Sequence, residues 1–111
     1  YLKMKLTKKQ VEKIEELGWN LSVETYHSKY ECEKFYQLQK HTRAGEDFFF
    51  SIDYDDPINS LDEYITWGFD VQEHVLEVKD MKGAPDLQTL FEDAKEIEED
   101  LQELLRELSK L

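Results

Sequence analysis

Apolar residues recur along this chain with two periods, and the points where one period gives way to the other divide it into seven segments. Val11, Ile14 and Leu17 lie three residues apart, the spacing of a helical stripe. Thr7-Lys8-Lys9-Gln10 just before them has the form of a capping box, and Leu6 and Val11 occupy the two staple positions. Gly18 supplies a left-handed stop. The first helix is predicted over about 8–17.

The period then shortens to two. Trp19, Leu21 and Val23 alternate with polar residues, as in a half-buried strand that runs on to Tyr26. His27-Ser28-Lys29 reads as a turn. Tyr30, Cys32, Tyr36 and Leu38 share one parity and predict a second strand, bent near Glu33-Lys34. After a turn at Arg43–Glu46, Phe48, Phe50, Ile52 and Tyr54 alternate with Phe49, Ser51 and Asp53, the clearest strand pattern in the chain. Three strands with short connections predict an antiparallel meander.

Helical spacing then returns. Ser60-Leu61-Asp62-Glu63 has capping-box form and opens a short helix that Gly68 would stop. Asp70-Val71-Gln72-Glu73 has cap spacing again, and Val71, His74, Val75 and Val78 share a helical face, with a β reading of Val75–Lys79 as the alternative. From Asp86 onward Leu87, Ala94, Leu101 and Leu108 repeat every seven residues. Leu90, Ile97, Leu104 and Leu111 do so three positions later, giving filled a and d positions of a heptad. Phe91 and Leu105 widen the stripe, as expected of a helix packed on its own domain. The fold class predicted is α+β: a three-stranded antiparallel sheet with helices on one face, in the order α-β-β-β-α-α-α.

The 111 residues suit one domain, 1–111, with a single core. Met4 is the expected natural start, with residues 1–3 as added ones, and Tyr1–Met4 lacks the apolar stretch of a signal peptide. No apolar run approaches the roughly 18 residues of a membrane span, and a single cysteine permits no internal disulfide. A soluble, cytoplasmic protein that does not engage membranes is expected. The net charge is −12, unevenly placed: residues 1–41 carry +2, residues 42–85 carry −8 and residues 86–111 carry −6. Such a surface repels phosphate backbones and disfavours direct nucleic-acid binding.

Catalytic signatures are missing. An EF-hand loop starting at Asp53 would need an oxygen ligand at position 57 and glycine at 58, where Pro57 and Ile58 stand. His27, Cys32, His41 and His74 lack the paired spacing of a zinc site. Cys32 shares a parity with Tyr30 and Tyr36 and reads as a small buried hydrophobe. Gly18, Gly45, Gly68 and Gly83 are dispersed, and no phosphate loop exists. No enzyme activity, cofactor or metal is expected. In the Phe48-Phe49-Phe50 run, Phe49 must face away from its neighbours. It is covered, exposed alone, or exposed within an aromatic cluster around Tyr26 and Phe35 that would mark a partner site.

The acidic surface has the widest functional reach. On the last helix Glu92, Asp93, Glu96, Glu99, Asp100, Glu103 and Glu107 lie off the apolar seam, and neighbours three or four apart are about 5–6 Å from each other. That is near the spacing of phosphates along a strand. Asp53, Asp55, Asp56, Asp62 and Glu63 would extend the patch. The residues expected to meet a partner are Asp53, Asp55, Asp56, Glu92, Glu96, Glu99, Glu103 and Glu107. The plainer alternative is a solvated helix face that keeps a small protein soluble.

Gly45-Glu46-Asp47-Phe48-Phe49-Phe50-Ser51-Ile52-Asp53, then Phe69-Asp70-Val71-Gln72-Glu73-His74-Val75 and Gly83-Ala84-Pro85, resembles a set of small uncharacterised acidic proteins of bacteriophages and conjugative elements of gut Gram-positive bacteria. The resemblance covers roughly residues 43–108. It implies no activity and no functional residue. It does imply a mobile-element context, in which small acidic proteins include anti-restriction and anti-CRISPR inhibitors, several with DNA-like charge. The expectation is a non-enzymatic interaction protein that occupies the cationic groove of a basic, nucleic-acid-handling host protein. The alternative is a structural domain that self-associates through the heptad seam of residues 87–111. The sequence leaves monomer and homodimer both open.

Overall fold

The computed structural model describes residues 5–111; the reading of Tyr1–Met4 falls outside them. The first helix, α1 (Lys8–Glu16), opens on the predicted capping box. Thr7 Oγ1 accepts from the Gln10 N–H at 3.2 Å, and Gln10 Oε1 accepts from the Thr7 N–H at 2.8 Å. Gly18, with φ at +95°, turns the chain into the sheet.

Strands β1 (Asn20–His27), β2 (Cys32–His41) and β3 (Asp47–Asp53) form an antiparallel meander in the order β1-β2-β3. Pairing of β1 with β2 runs unbroken from Asn20–Gln39 to His27–Cys32, so the bend expected near Glu33-Lys34 is absent. The turn is also displaced: Ser28 N–H donates to the Glu31 carbonyl, which leaves Tyr30 in the loop rather than in a strand.

Helix α2 (Pro57–Glu63) begins three residues before the predicted Ser60 cap, with Pro57 at its first position, where a missing N–H costs nothing. Ser60 lies inside the helix, and its Oγ accepts from the Asp53 N–H at 3.0 Å. A π-helical turn, Tyr64–Gly68, follows. Gly68 is needed there for space, since a Cβ would stand 2.7 Å from Cδ1 of Tyr64. The Tyr64 ring is stacked on Phe50 at 4.7 Å, and burial pushes its phenol up to about 12. Helix α3 (Val71–Val78) settles the 75–79 ambiguity in favour of a helix, capped by Asp70 through the Glu73 N–H.

The long helix α4 (Leu87–Ser109) is capped by Asp86, which accepts from the Thr89 N–H at 2.8 Å. Its seam divides between two cores. Leu90 and Ala94 pack with Val75 and Val78 of α3. Ile97, Leu101, Leu104 and Leu108 pack with α1, α2 and the inner sheet face of Tyr36, Leu38, Phe48, Phe50 and Ile52. The ends of the seam, Leu87 and Leu111, are exposed, and Phe91 is only partly covered by the other described residues.

The helices cover one face of the sheet and stop short of its far end. Parity alone places Val23 and Cys32 on the covered side, yet Val23 is 51% exposed and Cys32 is exposed. The expectation of a buried Cys32 fails for that reason: it pairs with His27 beside the hairpin turn, beyond the helix layer.

Candidate functional site

At about 100° per residue, Glu92, Glu96, Glu99, Glu103 and Glu107 fall within an arc of about 80° on the side of α4 away from its core contacts. The arc follows from spacings of four, three, four and four residues. From Glu92 to Glu107 the stripe is about 22 Å long. Glu92 and Glu99 are exposed, and Glu96, Glu103 and Glu107 are half-buried. Among the described residues two cations form ion pairs with it, and Lys95 and Arg106 lie within about 40° of its edge on the same helix. Arg43 reaches Glu96 at 3.5 Å from a side chain that is 84% exposed, and Lys110 reaches Glu107 at 3.3 Å. Exposed contacts of this kind are worth about 0–1 kcal/mol each, and they offset part of the stripe's charge locally.

Two acids on the same helix are committed to the fold. Asp93 is buried and accepts from the Ala44 N–H at 3.2 Å, pinning the β2–β3 turn to α4. Its expected place on a solvated face is therefore corrected. Asp100 pairs with Lys40 at 3.2 Å. Lys40 also donates to the Leu17 carbonyl at 3.2 Å and lies over the Trp19 ring at 5.2 Å. One cation thus joins the C-terminus of α1, where positive charge is favourable, to β2 and α4. These pairs close a small cleft of about 120 Å³ between the β2–β3 turn and α4, floored by Trp19, Phe48 and Ile97.

The second predicted group is elsewhere. Asp53, Asp55 and Asp56 come together beside Cys32, Glu33 and Lys34 at the far end of the sheet. Asp53 shares the uncovered face with Ser51 and Phe49, by strand alternation. That face belongs to the sheet layer and the stripe to the helix layer packed on the other side of the sheet, in a molecule whose thinnest extent is 22 Å. The structure therefore splits the eight predicted residues into a helical stripe of five and a separate cluster of three. Among the described residues, no group of three or more His, Cys, Asp or Glu side chains is arranged to hold a metal ion.

Phe49 is exposed, and among the described residues it has no aromatic ring contact. It stands opposite Gln39, whereas Phe35 stands opposite Asp53 and Tyr26 opposite Glu33. Sequence reasoning missed a polar cluster beneath the β2–β3 turn. His74 Nε2 lies 2.9 Å from the Glu46 carboxylate, and its ring meets Phe48 and Phe69 at 5.5 and 5.4 Å. The hydrogen bond to Glu46 raises the His74 pKa above its ordinary value, burial opposes this, and Glu46, Glu77 and Asp93 add to the rise. The available signal was a histidine on the apolar face of a helix among Val71, Val75 and Val78.

No helix among the described residues is long and apolar enough to cross a membrane. Comparison with models of known protein families, with curated proteins and with solved structures finds no match to this chain.

Proposed function

We propose that this protein is a non-enzymatic binding module that presents the outer stripe of α4 to a cationic surface on another protein. The observation that carries the reading is the row of Glu92, Glu96, Glu99, Glu103 and Glu107 on one side of a rigid helix whose opposite side is locked into the core. A strand of duplex DNA carries one charge per about 3.4 Å of axis. Five carboxylates over about 22 Å approach that density within a factor of two. The stripe is thereby suited to a groove shaped for a phosphate backbone, and we assign the partner to the basic, nucleic-acid-handling proteins of a bacterial host. The resemblance of residues 43–108 to mobile-element proteins supports this context. Asp53, Asp55 and Asp56 lie on another face and would serve a second contact or solubility alone.

The test is retention of host proteins on the immobilised chain, eluted by a salt gradient, with the captured protein then purified and titrated against variants. Charge-steered association weakens as salt rises. Glu96→Lys combined with Glu103→Lys is expected to weaken binding by at least tenfold and to leave the circular dichroism spectrum unchanged. Binding that is indifferent both to salt and to the double reversal would sink the proposal.

A further inference from the structure

β1 is an edge strand, and the hairpin turn fixes the direction of its backbone groups. Ser28 N–H donates to the Glu31 carbonyl at 2.8 Å. Bonded and non-bonded pairs alternate along an antiparallel ladder. Counting back from Ser28, the pairs bonded to β2 are Tyr26–Glu33, Glu24–Phe35 and Ser22–Gln37. The N–H and C=O groups of Leu21, Val23 and Thr25 therefore point away from the sheet. Among the described residues, no backbone hydrogen bond reaches them from another element.

Among the described residues this edge carries one of the devices that normally blunt one, the charged Glu24, and lacks the others. Proteins discourage pairing at edges with lysine, proline, bulges or a covering element. Asn20–His27 contains no lysine or proline and its register has no bulge. Every residue from Ser22 to Lys34 is exposed, so the β1–β2 hairpin projects past the helices with both faces in solvent. The opposite edge is managed differently: Asp47 and Asp53 flank β3, and Ser60 Oγ takes the Asp53 N–H.

We infer that β1 pairs with β1 of a second copy, antiparallel about a two-fold axis through Val23, to make one six-stranded sheet. The register follows from the side chains. Centred on Val23, Leu21 meets Thr25 of the other copy, Ser22 meets Glu24, and Asn20 meets Tyr26, with no like charges directly opposed and the two Glu24 side chains only diagonal to each other. Centred on Glu24, two carboxylates would face each other. Charge also selects the place. Ser22–Lys34 carries three glutamates and two lysines, so it is a nearly neutral stretch of a chain of net charge −12. Two such chains repel each other less along it than along the acidic α4. The stripe on α4 stays outside this contact, and the dimer stands whether or not the stripe binds a partner.

Sedimentation equilibrium of the full chain is expected to show a mass rising with concentration from 13.3 kDa towards twice that value. Val23→Pro removes an N–H that β2 does not use, a substitution edge strands tolerate. It is expected to abolish the dimer while leaving the circular dichroism spectrum unchanged. Val23→Cys in a Cys32→Ser background is expected to cross-link on mild oxidation, since directly bonded partners have Cα atoms about 5.5 Å apart, within disulfide reach. Tyr26→Cys in the same background is expected not to, because the register separates its two copies by about 20 Å. Should the proline variant fail to fold, the cysteine pair still decides. The inference is overturned by a mass that stays at the monomer value at millimolar concentration, by a dimer that survives Val23→Pro, or by cross-linking through Tyr26→Cys rather than Val23→Cys.

Discussion

His74 sits with its side chain 12% exposed against Glu46 at 24%, and the pair makes stability depend on pH. Its folded pKa is raised above the unfolded value of about 6.5. The protonated imidazole is therefore the form that the folded state favours. Its contribution is fully present below about pH 6.5 and is lost as pH rises through the higher folded value. Urea titrations across that window are expected to show stability falling with rising pH. His74→Gln should flatten the dependence and cost about 1–3 kcal/mol at its acid end, the usual loss for a charged, half-buried hydrogen bond. At this scale the sequence is least legible. The Thr7–Gln10 box can be read because both partners lie within one turn. Asp93 cannot, because the N–H that requires it belongs to Ala44, 49 residues away. Cys32 misleads for a related reason: alternation reports which side of a sheet a residue faces, not whether another element covers that side.

The α4 helix shows how far periodicity reaches at the scale of elements. The heptad identifies the buried side correctly for Leu90 through Leu108 and is silent on where neighbouring elements end. Leu104 and Leu87 both lie on the heptad seam, at a d and an a position, yet Leu104 is fully buried and Leu87 is 55% exposed. Thermal and chemical denaturation should therefore separate them. Leu104→Ala is expected to cost about 2–5 kcal/mol, and Leu87→Ala less than about 0.5 kcal/mol. Similarly, β3 was legible residue by residue because helices cover its inner face throughout. β1 was legible in parity alone, since cover is lost beyond Leu21. The start of α2 was obscured by two competing signals, a serine with cap spacing and a proline three residues earlier. Proline at the first helical position prevailed, and the serine hydroxyl serves the end of β3 instead.

For the whole molecule, the order and layering of elements follow from the alternation of periods and from short connections. The division of the acidic surface does not, because the relative position of residues 53–56 and 92–107 depends on which sheet face the helices cover. The same layering places the two tryptophans in opposite surroundings: Trp19 is 2% exposed beneath Lys40 and beside Phe50, and Trp67, on the π-helical turn, is 85% exposed. Their fluorescence should accordingly consist of two separable emissions. A blue component from Trp19 is expected to resist acrylamide, and a red one from Trp67 to be quenched freely in the native state. Trp67→Phe would leave a single buried emitter whose red shift reports unfolding of the main core alone, giving the domain a built-in optical probe that needs no added dye.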